Sequence, residues 1–121
     1  MKILKEKIEY DDEVVNTYSA DDIEKLISKK VGYAIFGGPV VEDLSLAEDA
    51  VNLIKNDKRY DWSGSTDEEV INETYYISFV NEIKDDAIVK RILKQMMSAL
   101  HCVNLYGPIQ YSGSVVYILQ Q

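Results

Sequence analysis

His101 and Cys102 stand side by side, the one imidazole and the one thiol of the chain, and a base beside a thiol is raw material for nucleophilic catalysis or a metal site. Their adjacency argues against both. If the pair opens a strand, neighbouring side chains point to opposite faces, and zinc would need three or four ligands. No Ser sits in a G-x-S-x-G turn. Cys102 reads as a small core residue and His101 as a helix-terminal cation or a satisfied polar group. No catalytic, metal-binding or cofactor-binding residue is assigned.

The segment Tyr33–Asp43, YAIFGGPVVED, has the order strand, glycines, helix start that serves many phosphate sites, where backbone N–H groups and a helix dipole converge on the anion. Here Glu42 and Asp43 occupy the place of the phosphate. There is neither a G-x-G-x-x-G spacing nor the Lys-Ser/Thr of a P-loop. Gly37 and Gly38 are expected to free the backbone at a strand exit that Pro39 stiffens.

Carboxylates are plentiful enough for acid–base work or a divalent cation, but no run alternates acids around a Gly and a closing Glu as an EF-hand loop does. Of the 21 acids, nine (Asp21, Asp22, Glu42, Asp43, Asp67, Glu68, Glu69, Asp85 and Asp86) fall at expected helix starts, where the dipole favours them. Asp11, Asp12 and Glu13 do not.

The aromatics are more informative. Tyr33, Tyr75, Tyr76 and Tyr117 lie in apolar runs and read as core or sheet-face residues. Tyr60 and Trp62 instead sit in KRYDWSGST (Lys58–Thr66), beside Arg59 and Asp61, and Tyr106 and Tyr111 flank a final turn. Trp, Tyr and Arg dominate binding hot spots. Against this, Trp62 can fold back as a lid on the core beneath its loop.

These residues must be held by elements that hydrophobic period reveals. Met1–Ile8 suggests a strand and Ser19 caps a helix over 20–30. Val31–Phe36 reads as a covered strand, and Leu44, Ala47, Val51 and Ile54 mark a helix over 43–56. Thr66 caps a short turn through Asp67, Glu68 and Glu69 before a strand at Tyr75–Val80. Asp85–Leu100 carries the strongest helical stripe, with Ile88, Ile92, Met96 and Leu100 at four-residue steps. Val103–Tyr106 and Val115–Leu119 read as strands joined by a turn in GPIQYSG. The expected fold is α/β (α+β): one domain over 1–121, a two- or three-layer sandwich with a mixed four- to five-stranded sheet and about three helices.

Composition narrows the functions. The 121-residue chain carries 21 acids against 13 bases, a formal charge of −8, and no basic block tracks a nucleic-acid backbone. Direct nucleic-acid binding is disfavoured. Apolar runs fall far short of the roughly 20 residues that cross a bilayer, and MKILKEKIEY alternates charge where a signal peptide is apolar. With a lone Cys102, a cytoplasmic protein is expected.

The sequence thus points to a non-enzymatic acidic module that docks on a basic surface of a larger protein, such as a nucleic-acid-handling enzyme. Inhibitors, immunity proteins and phage anti-defence proteins use this strategy. The expected contact residues are Arg59, Tyr60, Asp61, Trp62, Asp67, Glu68, Glu69, Tyr106 and Tyr111. Carboxylates imitating nucleic-acid phosphates are a stronger form of the same idea. The alternatives are a small-ligand or regulatory domain around Trp62, Tyr106 and Tyr111, and a small enzyme using carboxylates with Tyr. The C-terminal strand Ser114–Gln121, if exposed, would support a homodimer across a two-fold.

Overall fold

The computed structural model describes residues 35–79 and 86–121. Among these the chain forms β1 (Ile35–Pro39), a 3-10 turn (Val40–Glu42), α1 (Leu44–Lys55), α2 (Asp67–Ile71), β2 (Thr74–Phe79), α3 (Asp86–Leu100), β3 (Asn104–Tyr111) and β4 (Ser114–Gln120). The strand expected at Met1–Ile8, the helix at 20–30 and the acids Asp11, Asp12 and Glu13 lie outside the described residues. None of the described helices is long and apolar enough to cross a membrane.

The four strands make one sheet in the order β1-β2-β4-β3, and every neighbouring pair is antiparallel. The α+β sandwich with three helices is as expected, and the described sheet has four strands, all of them paired antiparallel. β2 and β3 run in the same direction, joined through α3, but β4 separates them. Ser112 and Gly113 have φ of 48° and 79°, a turn whose twist suits two antiparallel strands, so β4 folds straight back along β3. The terminal strand is therefore interior and hydrogen-bonded on both edges. It offers no open edge for the two-fold pairing expected of it.

Strand alternation sorts the core into two layers. Ile77, Phe79, Leu105 and Leu119 meet Val89, Ile92, Leu93, Met96 and Met97 of α3 on one face. On the other, Tyr106, Ile109, Val116 and Ile118 meet Val40, α1 and α2. The result is a three-layer sandwich. Helix starts follow local chemistry: Asp43 accepts the Leu46 amide at 3.2 Å, and the Thr66 hydroxyl accepts the Glu69 amide at 3.2 Å while donating to Glu69 Oε1 at 3.1 Å, side-chain caps at both helix starts. At the end of α3, His101 takes a left-handed φ of 56°. Its amide donates to the Ser98 carbonyl and that of Cys102 to the Met97 carbonyl, closing the helix in a Schellman turn. His101 is exposed and Cys102 buried, and burial pushes the thiol up to about 12. The two share no site.

The glycines of YAIFGGPVVED lie inside β1 rather than at a strand exit. Gly37 pairs with Tyr76 across β1 and β2, and a Cβ at Gly37 would fall within the Tyr76 ring, whereas nothing lies near a Cβ at Gly38. The ring covers the bare backbone, as aromatic neighbours do for strand glycines. Gly37→Ala is therefore expected to destabilise by about 1–3 kcal/mol through overpacking, and Gly38→Ala to stay within about 0.5 kcal/mol. Urea denaturation checks both. In a Tyr76→Ala background the Gly37→Ala cost should largely vanish.

Candidate functional site

The site grows from the end of α1. Asn56 and Asp57 close the helix through amides bonded to the Asn52 and Ile54 carbonyls, and this geometry turns the Asp57 side chain inward, where it has 0% exposure. A buried carboxylate is tolerated only with full hydrogen bonding. Asp57 has it. Oδ1 accepts the Arg59 amide at 3.1 Å and Nε at 3.0 Å. Oδ2 accepts Nη2 at 2.6 Å and the Tyr106 hydroxyl of β3 at 2.8 Å. The Arg59 side chain stays 36% exposed, so the cation keeps part of its hydration while the anion keeps none.

A second tier extends the lock across the sheet. Arg59 Nη2 and the Tyr60 hydroxyl both donate to Asn104 Oδ1, at 3.3 and 3.4 Å. Asn104 Nδ2 donates to Gln120 Oε1 at 3.2 Å, and Gln120 Nε2 to the Val70 carbonyl of α2 at 3.0 Å. One chain of hydrogen bonds thus links the α1–α2 loop, β3, β4 and α2.

The electrostatics hold each group in the form it already prefers at neutral pH. Hydrogen bonds from Arg59, opposed by burial, keep Asp57 far below the usual carboxylate range, and the same pairing raises Arg59. Burial and donation to Asp57 push the Tyr106 phenol above its ordinary value. Acid–base catalysis needs a group that titrates near the working pH, and these three do not. Among the described residues no three His, Cys, Asp or Glu side chains converge as a metal site. The arrangement is a structural lock.

The nine expected contact residues divide accordingly. Arg59, Tyr60, Trp62 and Tyr106 gather around the lock, with Arg59 5.4 Å from the Tyr60 ring centroid and the Tyr60 and Trp62 centroids 5.9 Å apart. Tyr60 is 44% exposed. Trp62 is half-buried against the α1–α2 core, and its indole N–H is buried without a hydrogen-bond partner among the described residues; the lid reading holds for its ring. Tyr106 is fully buried, so it supports the surface from beneath rather than contacting a partner.

Asp61 is exposed, and hydrogen bonds from the Ser63 hydroxyl and amide, at 2.6 and 3.0 Å, lower its carboxyl below the ordinary value. Asp67, Glu68 and Glu69 form the exposed first turn of α2, with Asp67 3.2 Å from Lys55 Nζ. Tyr111 does not join this group. It donates to Asp43 at 2.9 and 3.1 Å, at the other end of α1, roughly 18 Å away by helix rise, and that bond raises its phenol.

Sequence reasoning missed Asp57, Asn104 and Gln120, which hold the site together. Asp57 reads as a helix stop; only its spacing of two from Arg59 hinted at a turn closed by its own ion pair. It also placed Leu44 in the buried stripe of α1, and Leu44 is 81% exposed. Leu46, Ala50 and Leu53 fill that face with Ala47, Val51 and Ile54 instead, rotating the apolar stripe and leaving Leu44 beside an open groove between α1 and α2.

Asp57→Asn keeps the side chain's shape and one acceptor for Tyr106 but removes the charge and turns an NH2 donor toward the Arg59 amide and Nε, and should lower stability by about 2–3 kcal/mol at pH 7. The native carboxyl titrates below its unfolded value near 3.9. Its contribution is therefore complete above about pH 5 and is lost as pH falls through 3.9 toward the native value. Urea denaturation from about pH 7 down to about pH 2 should show the gap between wild type and Asp57→Asn closing; a pH-independent gap would refute a stabilised anion. No protein-family model, curated protein or solved structure matches the chain.

Proposed function

We propose that the protein is a non-enzymatic, acidic protein-binding module that docks on a basic surface of a larger protein, in the manner of an inhibitor, immunity or phage anti-defence protein, and that it acts in the cytoplasm. The observation that carries this reading is the presentation of Tyr60: a 44% exposed aromatic on a loop whose backbone is anchored by the buried Asp57 through its bonds to Arg59. A side chain held in place before binding loses less entropy on docking. Around it stand the exposed carboxylates Asp61, Asp67, Glu68 and Glu69, and the chain's net charge of −8 would steer the module toward a positive surface.

Catalysis by carboxylate and tyrosine gains no support from this geometry, because the Asp57 carboxyl is pushed down and the Tyr106 phenol up, both away from neutral pH. A ligand cage around Trp62, Tyr106 and Tyr111 gains none either, since Tyr111 lies at the opposite end of α1.

Trp62→Ala would remove core packing and confound a binding assay, so Tyr60→Ala is the clean variant. It should leave stability within about 1 kcal/mol of wild type and weaken a basic partner's binding about tenfold or more. In capture from lysate, that partner should elute as salt rises from about 50 to about 500 mM. Retention indifferent to both salt and Tyr60→Ala would sink the proposal.

A further inference from the structure

We propose that the groove between α1 and α2 seats an amphipathic helix with basic flanks, contributed by the protein partner. This deepens the binding-module reading and rests on it. Among the described residues four large apolar side chains stand exposed, Val41, Leu44, Tyr60 and Ile88, and two of them, Val41 at 41% and Leu44 at 81%, border this one groove. A leucine so exposed on the first turn of a helix contributes nothing to the fold by burial. It gains by burial only when something covers it.

The spacing of the lining residues suits a helix. Leu44, Ala47, Val51 and Lys55 line it from α1 at i, i+3, i+7 and i+11, one continuous stripe of roughly 16 Å, or about three turns. Ala47, Val51 and Ile71 of α2 form its floor as the outer edge of the core, each with under a tenth of its surface exposed, so the apolar area open to a partner is that of Val41 and Leu44 at one end. Helix-in-groove recognition uses such a floor with anchors at i, i+3, i+4 and i+7 of the incoming helix.

Charge selects the occupant. The rim carries Glu48, Asp67 and Glu68 against Lys55, three negative charges and one positive, a net of −2. Lys55 is already paired with Asp67 at 3.2 Å. A helix with Lys or Arg beside its apolar stripe complements this rim, and an acidic one is repelled. A second copy of the chain fits poorly, because a two-fold contact places the same acidic rim on both sides.

The test uses the full chain and three synthetic peptides of about 18 residues, long enough to span the groove as a helix. The first has leucines at i, i+3, i+4 and i+7 with lysine flanks, the second replaces the lysines with glutamates, and the third keeps the lysines and replaces the leucines with serines. Amide shifts in nuclear magnetic resonance should show the first peptide binding at Val41, Leu44, Val51 and Ile71. The second should bind at least about tenfold more weakly at low salt. Leu44→Ser, and separately Glu48→Gln with Glu68→Gln, should each weaken the first peptide about tenfold. Both changes lie at exposed positions, so folding is preserved.

First and third peptides binding alike, with no response to Leu44→Ser, would overturn the groove while leaving the electrostatic reading standing. If neither basic peptide binds, the groove proposal falls, and the salt-dependent capture through Tyr60 decides separately whether the module reading falls with it. A dimer in sedimentation that Leu44→Ser dissolves would overturn the proposal in favour of a second copy. Overhauser contacts from residues 1–34 to the Leu44 methyls would overturn it in favour of the chain's own segment.

Discussion

Taking a carboxylate out of water costs several kilocalories per mole unless its lone pairs find donors, and Asp57, with no exposed surface, makes the surrounding architecture answer that demand. Arg59 meets it from two residues away with a guanidinium fork and a backbone amide, and Tyr106 meets it from across the core. A partly satisfied buried network destabilises, whereas a complete one fixes a single arrangement. Here the second tier through Asn104 and Gln120 to Val70 carries that arrangement across the sheet into α2.

The same demand explains the irregularity of β3. Tyr106 and Tyr111 are five residues apart, an odd separation that would put them on opposite faces of a regular strand. Between Tyr106 and Ile109 the register slips by one residue against β4. Gly107 takes φ of 129° there, where a Cβ would come within 2.9 Å of the Val116 carbonyl oxygen. The bulge restores both tyrosines to the α1 face. One then bonds Asp57 past the C-terminus of α1 and the other Asp43 at its N-terminus, so β3 runs antiparallel to the helix and holds both ends.

A helix clamped at both ends has its rotation about its own axis decided by those ends. The clamp turns Leu46, Ala50 and Leu53 inward with Ala47, Val51 and Ile54 and leaves Leu44 outside. The polar lock and the apolar groove are therefore two consequences of one constraint. Rigidity at the loop and an uncovered leucine on the adjoining helix are features that an interaction surface combines.

The sequence by itself determined the local elements, because they rest on short-range physics. The caps at Asp43 and Thr66, the wide stripe of α3, the run Tyr75–Phe79 and the glycine-bearing turn before β4 are written within a few neighbouring residues. It also determined the acidic balance, and it drew attention to Arg59, Tyr60 and Trp62, which do gather in space. The tertiary structure alone decided which strand is interior, that the described strands all pair antiparallel, why Gly37 is bare and which side of α1 faces water. Each of these depends on contacts between residues far apart in the chain: Gly37 with Tyr76, Asp57 with Tyr106, Asn104 with Gln120. A residue's type states what it needs, a partner for a charge or cover for a ring, but only the folded chain fixes which distant group supplies it, since pairing over such separations is set by register and packing rather than by local propensity.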